Sequence, residues 1–517
     1  MQIQSNIKIS FILILILSVF LTGCNIKLTE DVITIITPAG YEDNSGDTGD
    51  SSEEISSDVS DESAVMPQES SAQGSSHAAS SQGEPSQKGS SQEGSSQTVS
   101  AGPTVSQPAP TTAVSQPEKK LSGKLSVQIF VNENGVGEIA WTSILDSFET
   151  LNPDLELTTY IGPNVNFQLA SKWTSGKGTP DVVLLDGKGL SEYTLSASGS
   201  FMDLTSWFKS ASVFGSGEKI WDKINTNGVE YYQNKQYKAP LMFNCYGLWY
   251  DQNNLTSIGV TVHSNFTSLL NNSAKMKSAG QTTLIYPGMY SNYLVWGAIM
   301  PSVASYGQDF FDSVASGENP AAYKDSRFTA ILNNLKTLSD SGYISSSATQ
   351  DHIGAQSDWL NHRSTFVASG IWLEAEMKNS IPGTFDMRFT TAGLNKSGQK
   401  PGVVMMGVGV AISSRTQSEE NAKSFLSYLY TDASLEKLAV SYGYSTISKK
   451  PVAMSKYSRT AQSVISYINS SDVNRVYKKS DWGNVGSTFN NVANQIALGT
   501  LSVTDGSNQL ESAAKSN

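Results

Sequence analysis

The chain has 517 residues, a formal net charge of −12 at pH 7 and two cysteines. Two cysteines exclude a disulfide-framed scaffold, so stability must come from core burial. No stretch is basic enough to suggest nucleic acid as a partner. At the start, Met1–Ser10 carries a single lysine, Lys8, and Phe11–Leu21 is almost wholly Ile, Leu, Val and Phe. A basic segment followed by an apolar run reads as a secretory signal. The run is shorter than the roughly 20 residues that a spanning helix needs.

Leu21-Thr-Gly-Cys24 follows and resembles a bacterial lipobox. The resemblance implies a signal peptide over 1–23 and a lipidated Cys24 as the mature N-terminus, with the protein held on the extracellular face of the cell membrane. The stretch 24–120 reads as a tether. Within it, Tyr41–Pro117 is mostly Ser, Gln, Gly, Pro and acidic residues, with too little apolar surface to offset the entropy of ordering. Its twelve acidic residues against Lys88 give −11. The acidity of the chain therefore belongs to the tether, and the remainder is close to neutral. A flexible coil of this length reaches on average about 50 Å, which suits a bacterium with one membrane.

From Leu121 the sequence turns globular, and a stretch of about 400 residues predicts two lobes rather than one core. Leu125–Val131 alternates as a strand and runs into the polar turn Asn132-Glu-Asn-Gly135. A helix follows with Trp141, Ile144, Leu145 and Phe148 on one face, stopped by Asn152-Pro153. Gly178-Thr-Pro-Asp-Val-Val-Leu-Leu-Asp186 is a turn feeding a buried strand that ends on a carboxylate. This order predicts a parallel α/β lobe with ligand groups outside the strand ends, at Asn132, Glu133 and Asp186. Lys238–Gly259 reads as an apolar, aromatic strand running into a short helix. Asp325 is placed to cap a helix bearing Phe328, Ile331, Leu332, Leu335 and Leu338. Ser364–Ala368 reads as a buried strand, broken at Ser369-Gly370, with Trp372 just beyond. Gly402–Ile412 is a further apolar strand, and Thr416-Gln-Ser-Glu419 has the spacing of a capping box.

The ordered set resembles the extracellular solute-binding proteins of ATP-driven carbohydrate importers, the class that contains maltose-binding protein. The set comprises the lipobox, the strand with its polar turn, Gly-Thr-Pro-Asp-Val-Val, the stretch from Pro240-Leu to Trp249-Tyr-Asp-Gln-Asn, Gly370-Ile-Trp, and Gly407-Val-Gly-Val-Ala-Ile-Ser. The resemblance implies a two-lobe α/β fold of the periplasmic-binding-protein type whose chain crosses between lobes three times. The crossings fall near Ala239–Tyr246, Val404–Gly409 and Ser445–Pro451. Lobe one is then 121–240 plus 405–447, and lobe two is 241–404 plus 448–517. It also implies a carbohydrate ligand in the cleft, membrane permease subunits of an ABC importer as partners, a monomer, no cofactor and no catalysis. Gly370-Ile-Trp-Leu-Glu-Ala-Glu-Met377 is similar to a run in binding proteins linked to N-acetylglucosamine and chitobiose uptake, so an amino sugar is one candidate ligand.

A sugar offers a C–H face for aromatic rings and a rim of hydroxyls for carboxylates and amides. By position, Trp372 matches the family's stacking ring, Asp186 the polar group after the buried strand, and Asn132 and Glu133 the loop after the first strand. Tyr246, Trp296 and Trp482 are further aromatic candidates, and Asn244 and Glu374 further polar ones. Trp141, Trp207, Trp221 and Trp249 read as structural, and Cys245, among aromatic and aliphatic neighbours, as an inert buried thiol. Two alternatives share the fold: a peptide- or a polyamine-binding variant. A glycosidase needs two carboxylates across a bond, and Glu374 and Glu376 are a poor pair because they point apart on a strand or a helix. A surface adhesin would share anchor and tether but would not require two α/β lobes. The four histidines, His77, His263, His352 and His362, show no short-spaced metal pattern.

Overall fold

The computed structural model describes 25–29, 32–36 and 120–517, the last without 133, 187, 188, 348, 481 and 484. Cys24, the polar tether and Glu133 lie outside the described residues. Within the span read as tether, β1 (Asn25–Thr29) and β2 (Val32–Ile36) pair as an antiparallel hairpin. Both are rich in β-branched residues, which favour a pleated strand.

The remainder is built on two sheets. The first contains β3 (Ser122–Phe130), β4 (Asp154–Gly162) and β5 (Val182–Leu185), with β6 (Lys238–Asn244) further along. The second, of four strands, contains β7 (Tyr246–Asp251), β8 (Thr282–Ile285), β9 (Ser364–Gly370) and β10 (Met387–Thr390). The first sheet is completed by β11 (Gly402–Ile412), β12 (Ser445–Thr446) and β13 (Asn474–Tyr477). Parallel pairing is confined there to β4–β3–β5 and to β13 on β11. The expected all-parallel lobe is thus a mixed one. The reason is that β6 and β11 enter antiparallel to their neighbours.

Cys245 alone separates β6 in one sheet from β7 in the other, so the first crossing is abrupt. The second leads from β10 in the second sheet into β11 in the first, where Gly402–Met405 pair with β13 and Met406–Ala411 with β6. After β12 the chain returns to the second sheet, where Tyr467 on the helix Arg459–Asn469 bonds Thr391.

Local rules account for most helices. Glu138–Leu151 buries Trp141, Ile144, Leu145 and Phe148, and ends at Asn152. Ser326–Asp340 is capped by Asp325, whose carboxylate accepts from the Arg327 amide, and it buries the five predicted apolar residues. The capping box at Thr416–Glu419 does not form. The helix starts at Glu419; the Thr416 oxygen accepts from the Ser418 amide at 3.0 Å, and its hydroxyl donates to Asp181 Oδ1 at 2.5 Å. Asp181 also accepts from Ser126, so Thr416 helps join β3, the turn before β5 and the segment after β11.

Candidate functional site

Between the two sheets lies a cavity of about 250 Å³. The first sheet contributes the ends of its central strands. Phe130, Val131 and Asn132 close β3, and Asp186 follows β5. Asn132 uses its side-chain oxygen to accept from the Val136 amide at 3.0 Å and the Asn134 amide at 3.2 Å, so it shapes the loop it stands in. Asp186 is positioned by a buried relay. Trp173 Nε1 donates to Gln128, Gln128 donates to Asn166, and Asn166 donates to the Asp186 carbonyl. Such a chain holds a rigid backbone because every buried polar member is partnered.

Gly137 shows why glycine is needed in this loop. It stands at φ +86°, and a Cβ there would lie 2.3 Å from the ring of Tyr442. Tyr442 lines the cavity, and its hydroxyl accepts from Trp141 Nε1 at 3.0 Å. The helix Asp432–Tyr442 ends there on a left-handed Gly443, which delivers Tyr444 to the same wall.

The second sheet supplies the aromatic side. Trp372 follows β9, and its ring folds back over Gly370, where a Cβ would come within 1.9 Å of it. The Gly370 carbonyl accepts from Trp249 Nε1 at 2.9 Å, which fixes the turn. Tyr246 opens β7 and meets Trp372 edge-on, with ring centres 4.7 Å apart at 89°. Tyr293 stands against Tyr246 at 5.6 Å and 86°. Tyr290, Asn292 and His352 complete this side with Glu376. Glu376 is one turn beyond Trp372 and bonds back to it through its amide. Its carboxylate accepts from Gln356 at 2.7 Å.

The two sides touch across the cleft. Asn134 Nδ2 donates to the Glu376 carbonyl at 2.5 Å, and Trp372 and Tyr444 lie 6.5 Å apart. Burial, and then the negative charge of Asp186, push the phenols of Tyr246, Tyr442 and Tyr444 above their ordinary pKa. They stay protonated and can donate as well as accept. Burial alone raises the Cys245 thiol, which is buried and free of any disulfide.

Of the residues nominated from sequence, Trp372, Asp186, Asn132 and Tyr246 come together here. The others do not. Trp296 stacks on Trp482 at 4.5 Å, and Trp482 donates to the Val314 carbonyl inside the core of the second lobe. Glu374 points away from Glu376 and accepts from Ser458 at 2.5 Å. Asn244 is buried at the end of β6, outside the cavity lining. Glu376 was readable, since it falls four residues after Trp372 and so on the same helical face. Tyr290, Tyr293 and His352 carry no comparable local signal.

The family model for bacterial extracellular solute-binding proteins matches residues 134–436. The chain belongs to that family. Its members bind solutes and are not enzymes. The chain is similar to the multiple sugar-binding protein of Streptococcus mutans, at 20% identity over 361 residues, 66% of this chain and 78% of that protein. Among solved structures it resembles the acarbose-binding GacH receptor of Streptomyces glaucescens (TM-score 0.57, 16% identity, covering 77% and 98% of the two chains). It also resembles Lmo0181 of Listeria monocytogenes in complex with cycloalternan (TM-score 0.58, 14% identity, covering 76% and 98%). These likenesses give the two-lobe solute-binding fold. Among the described residues no helix is long and apolar enough to cross a membrane.

Proposed function

We propose that this protein is a lipid-anchored extracellular receptor. It captures a carbohydrate in the cavity between its lobes and delivers it to the membrane permease of an ABC importer. The observation that carries the reading is a cavity walled by Trp372 and Tyr246 on one side and by Asn132, Asp186 and Tyr444 on the other. Flat rings suit the C–H face of a pyranose, and amides, phenols and carboxylates answer its hydroxyls. An unanswered buried hydroxyl costs about 1–3 kcal/mol. Sugar ligands named for the structural relatives favour this reading over a peptide or a polyamine. Asn132, Asp186, Tyr246 and Trp372 are the proposed contacts, with Glu133 on the same loop. The proposed lobes are 121–240 with 405–447, and 241–404 with 448–517. Cys24 is the proposed lipid acceptor.

Ligand contacts from both lobes favour the closed arrangement, which is how binding becomes a signal to the permease. A thermal-shift panel on the full chain in detergent tests the reading. The panel runs from mono- to tetrasaccharides and includes N-acetylglucosamine and chitobiose. A true ligand at a hundredfold excess over its Kd stabilises by about 2.7 kcal/mol. The expected result is one responding sugar family, recovered intact. Silence across the panel overturns the carbohydrate reading, and recovery of shortened sugars would make the protein a glycosidase.

A further inference from the structure

A second cavity, larger than the first at about 690 Å³, runs along the crossings between the sheets. Each crossing contributes to its lining: Phe243 from β6, Met405 from β11, and Ser445 with Thr446 from β12. Ile465 and Asn469 add the helix Arg459–Asn469, which is bonded to the second sheet through Tyr467. The groove backs on the cleft at β12. Tyr444 lines the cleft, and the next two residues line the groove. Tyr457, also in the groove lining, donates through its hydroxyl to the Tyr444 carbonyl at 3.0 Å.

Much of the lining is apolar. Phe243 and Tyr477 meet with ring centres 5.6 Å apart, and Met405 and Ile465 are buried. Met454 is one of the large apolar side chains left exposed among the described residues. Apolar surface gathered in a groove gains by being covered. The charged groups of the lining are both cations, Lys449 and Arg475, and no Asp or Glu lines the groove. Both cations are exposed. Lys449 donates to the Asp222 carbonyl at 2.7 Å and Arg475 to Asn469 Oδ1 at 2.9 Å, and both of these acceptors are neutral. Lys450, next along the chain, is instead paired with the carboxylate of Asp432. An ammonium has three donors and a guanidinium five, so Lys449 and Arg475 keep donors to spare.

We propose that this groove is a second binding site, for a small amphipathic carboxylate. Its apolar body covers Phe243, Met405 and Ile465, and Lys449 and Arg475 answer its charge. A guanidinium fork matches a carboxylate with two bonds, and charge-assisted bonds are the stronger kind. The volume falls within the ~300–1,000 Å³ of small-molecule sites. A groove sunk along the crossings admits a free molecule rather than the face of a membrane. The site does not depend on the carbohydrate reading of the cleft.

The test is calorimetric titration of the full chain in detergent with 6-phenylhexanoate, 6-phenylhexanol, 6-phenylhexylamine and acetate, each corrected for its heat of entry into detergent alone. The long carboxylate is expected to bind at least about tenfold more tightly than the alcohol, the amine or acetate. Lys449→Gln and Arg475→Gln, both surface changes, are each expected to weaken it about three- to tenfold. Hydrogen–deuterium exchange then places the probe, with slowing expected at 445–454 and 475–477. Equal binding of the alcohol or the amine would overturn the assignment of an anion, and equal binding of acetate would overturn the role of the apolar lining. Undiminished affinity in both variants would overturn Lys449 and Arg475 as the partners. Slowing elsewhere with these two segments unchanged, or no binding of the long carboxylate, would overturn the site itself.

Discussion

Trp372 and Trp482 are both large rings beside a glycine in the second lobe, yet they stand in opposite situations. Trp372 is half-buried at the cleft, folded over Gly370, with Tyr246 and Tyr293 edge-on to it. Trp482 is 4% exposed, stacked on Trp296 and packed on Phe489, with its indole N–H donating to Val314. In one place the ring lines a cavity, and in the other the chain itself covers both ring and N–H. What separates a ligand platform from a core residue is thus the supply of covering partners. Those partners come from far along the chain.

Alanine at each position should separate the two roles by different measurements. Trp482→Ala empties a packed core site and should cost about 3–5 kcal/mol of stability, read as a lower melting temperature, with ligand affinity kept in the surviving folded protein. Trp372→Ala should do the converse, weakening ligand binding by about 10- to 100-fold, or ~1.4–2.7 kcal/mol, by calorimetry. If each variant lost mainly what the other is expected to lose, the division between platform and core would be wrong.

Acid should find the core and not the platform. His263 lies in this lobe, 3% exposed, with its ring against Phe366 and Nε2 on the Ala392 carbonyl. Burial drives its pKa down to about 4 from 6.5. The folded state thus holds the ring neutral, while the unfolded chain takes up a proton below pH 6.5. The associated stability is complete above pH 6.5 and is lost as pH falls towards 4, by about 3 kcal/mol in all. His263→Gln cannot protonate and should show a flatter melting temperature over that range. Parallel curves for the variant and the parent would remove His263 as a cause of acid sensitivity.

The same contrast explains what could be read from the residues. A strand broken by glycine before Trp372, and strands ending at Asn132 and Asp186, are local patterns, and each of these residues reaches the cavity. The apolar faces of Glu138–Leu151 and Ser326–Asp340 follow helical periodicity and pack as that periodicity requires. Local pattern reports that a side chain is buried but not what it is buried against. Trp296 and Trp482 therefore read as further candidates behind Trp372, and the stack between them, across 186 positions of sequence, is what places them in the core. Tyr442 enters the wall because Gly137, some 300 residues away, leaves room for its ring. The failed capping box is a similar case: the helix starts only at Glu419, and the Thr416 oxygen accepts from the Ser418 amide while its hydroxyl reaches Asp181, some 235 positions away. The mixed sheet follows from β6, which leads out to the second sheet, and β11, which returns from it, both lying antiparallel to their neighbours, and strand-by-strand reading does not foresee this.

The smallest effect lies where the two sides of the cleft meet. Asn134 stands in the loop after β3, exposed, and its amide donates to the carbonyl of Glu376 on the opposite side. That bond joins the two sides of the cleft, so opening the cleft would break it, and it stabilises the closed form relative to an open one. A ligand that binds the closed form benefits by the same amount, because its apparent affinity scales with the population of that form. One exposed hydrogen bond is worth about 1 kcal/mol net, so Asn134→Ala should weaken the ligand about fivefold. The loss should appear as faster dissociation, since the bond must break for the cleft to open. The side chain of Trp372 is untouched, so the residual binding should still collapse when Trp372→Ala is added. An unchanged dissociation rate in Asn134→Ala would mean that the aromatic contact between Trp372 and Tyr444, rather than this hydrogen bond, holds the cleft closed.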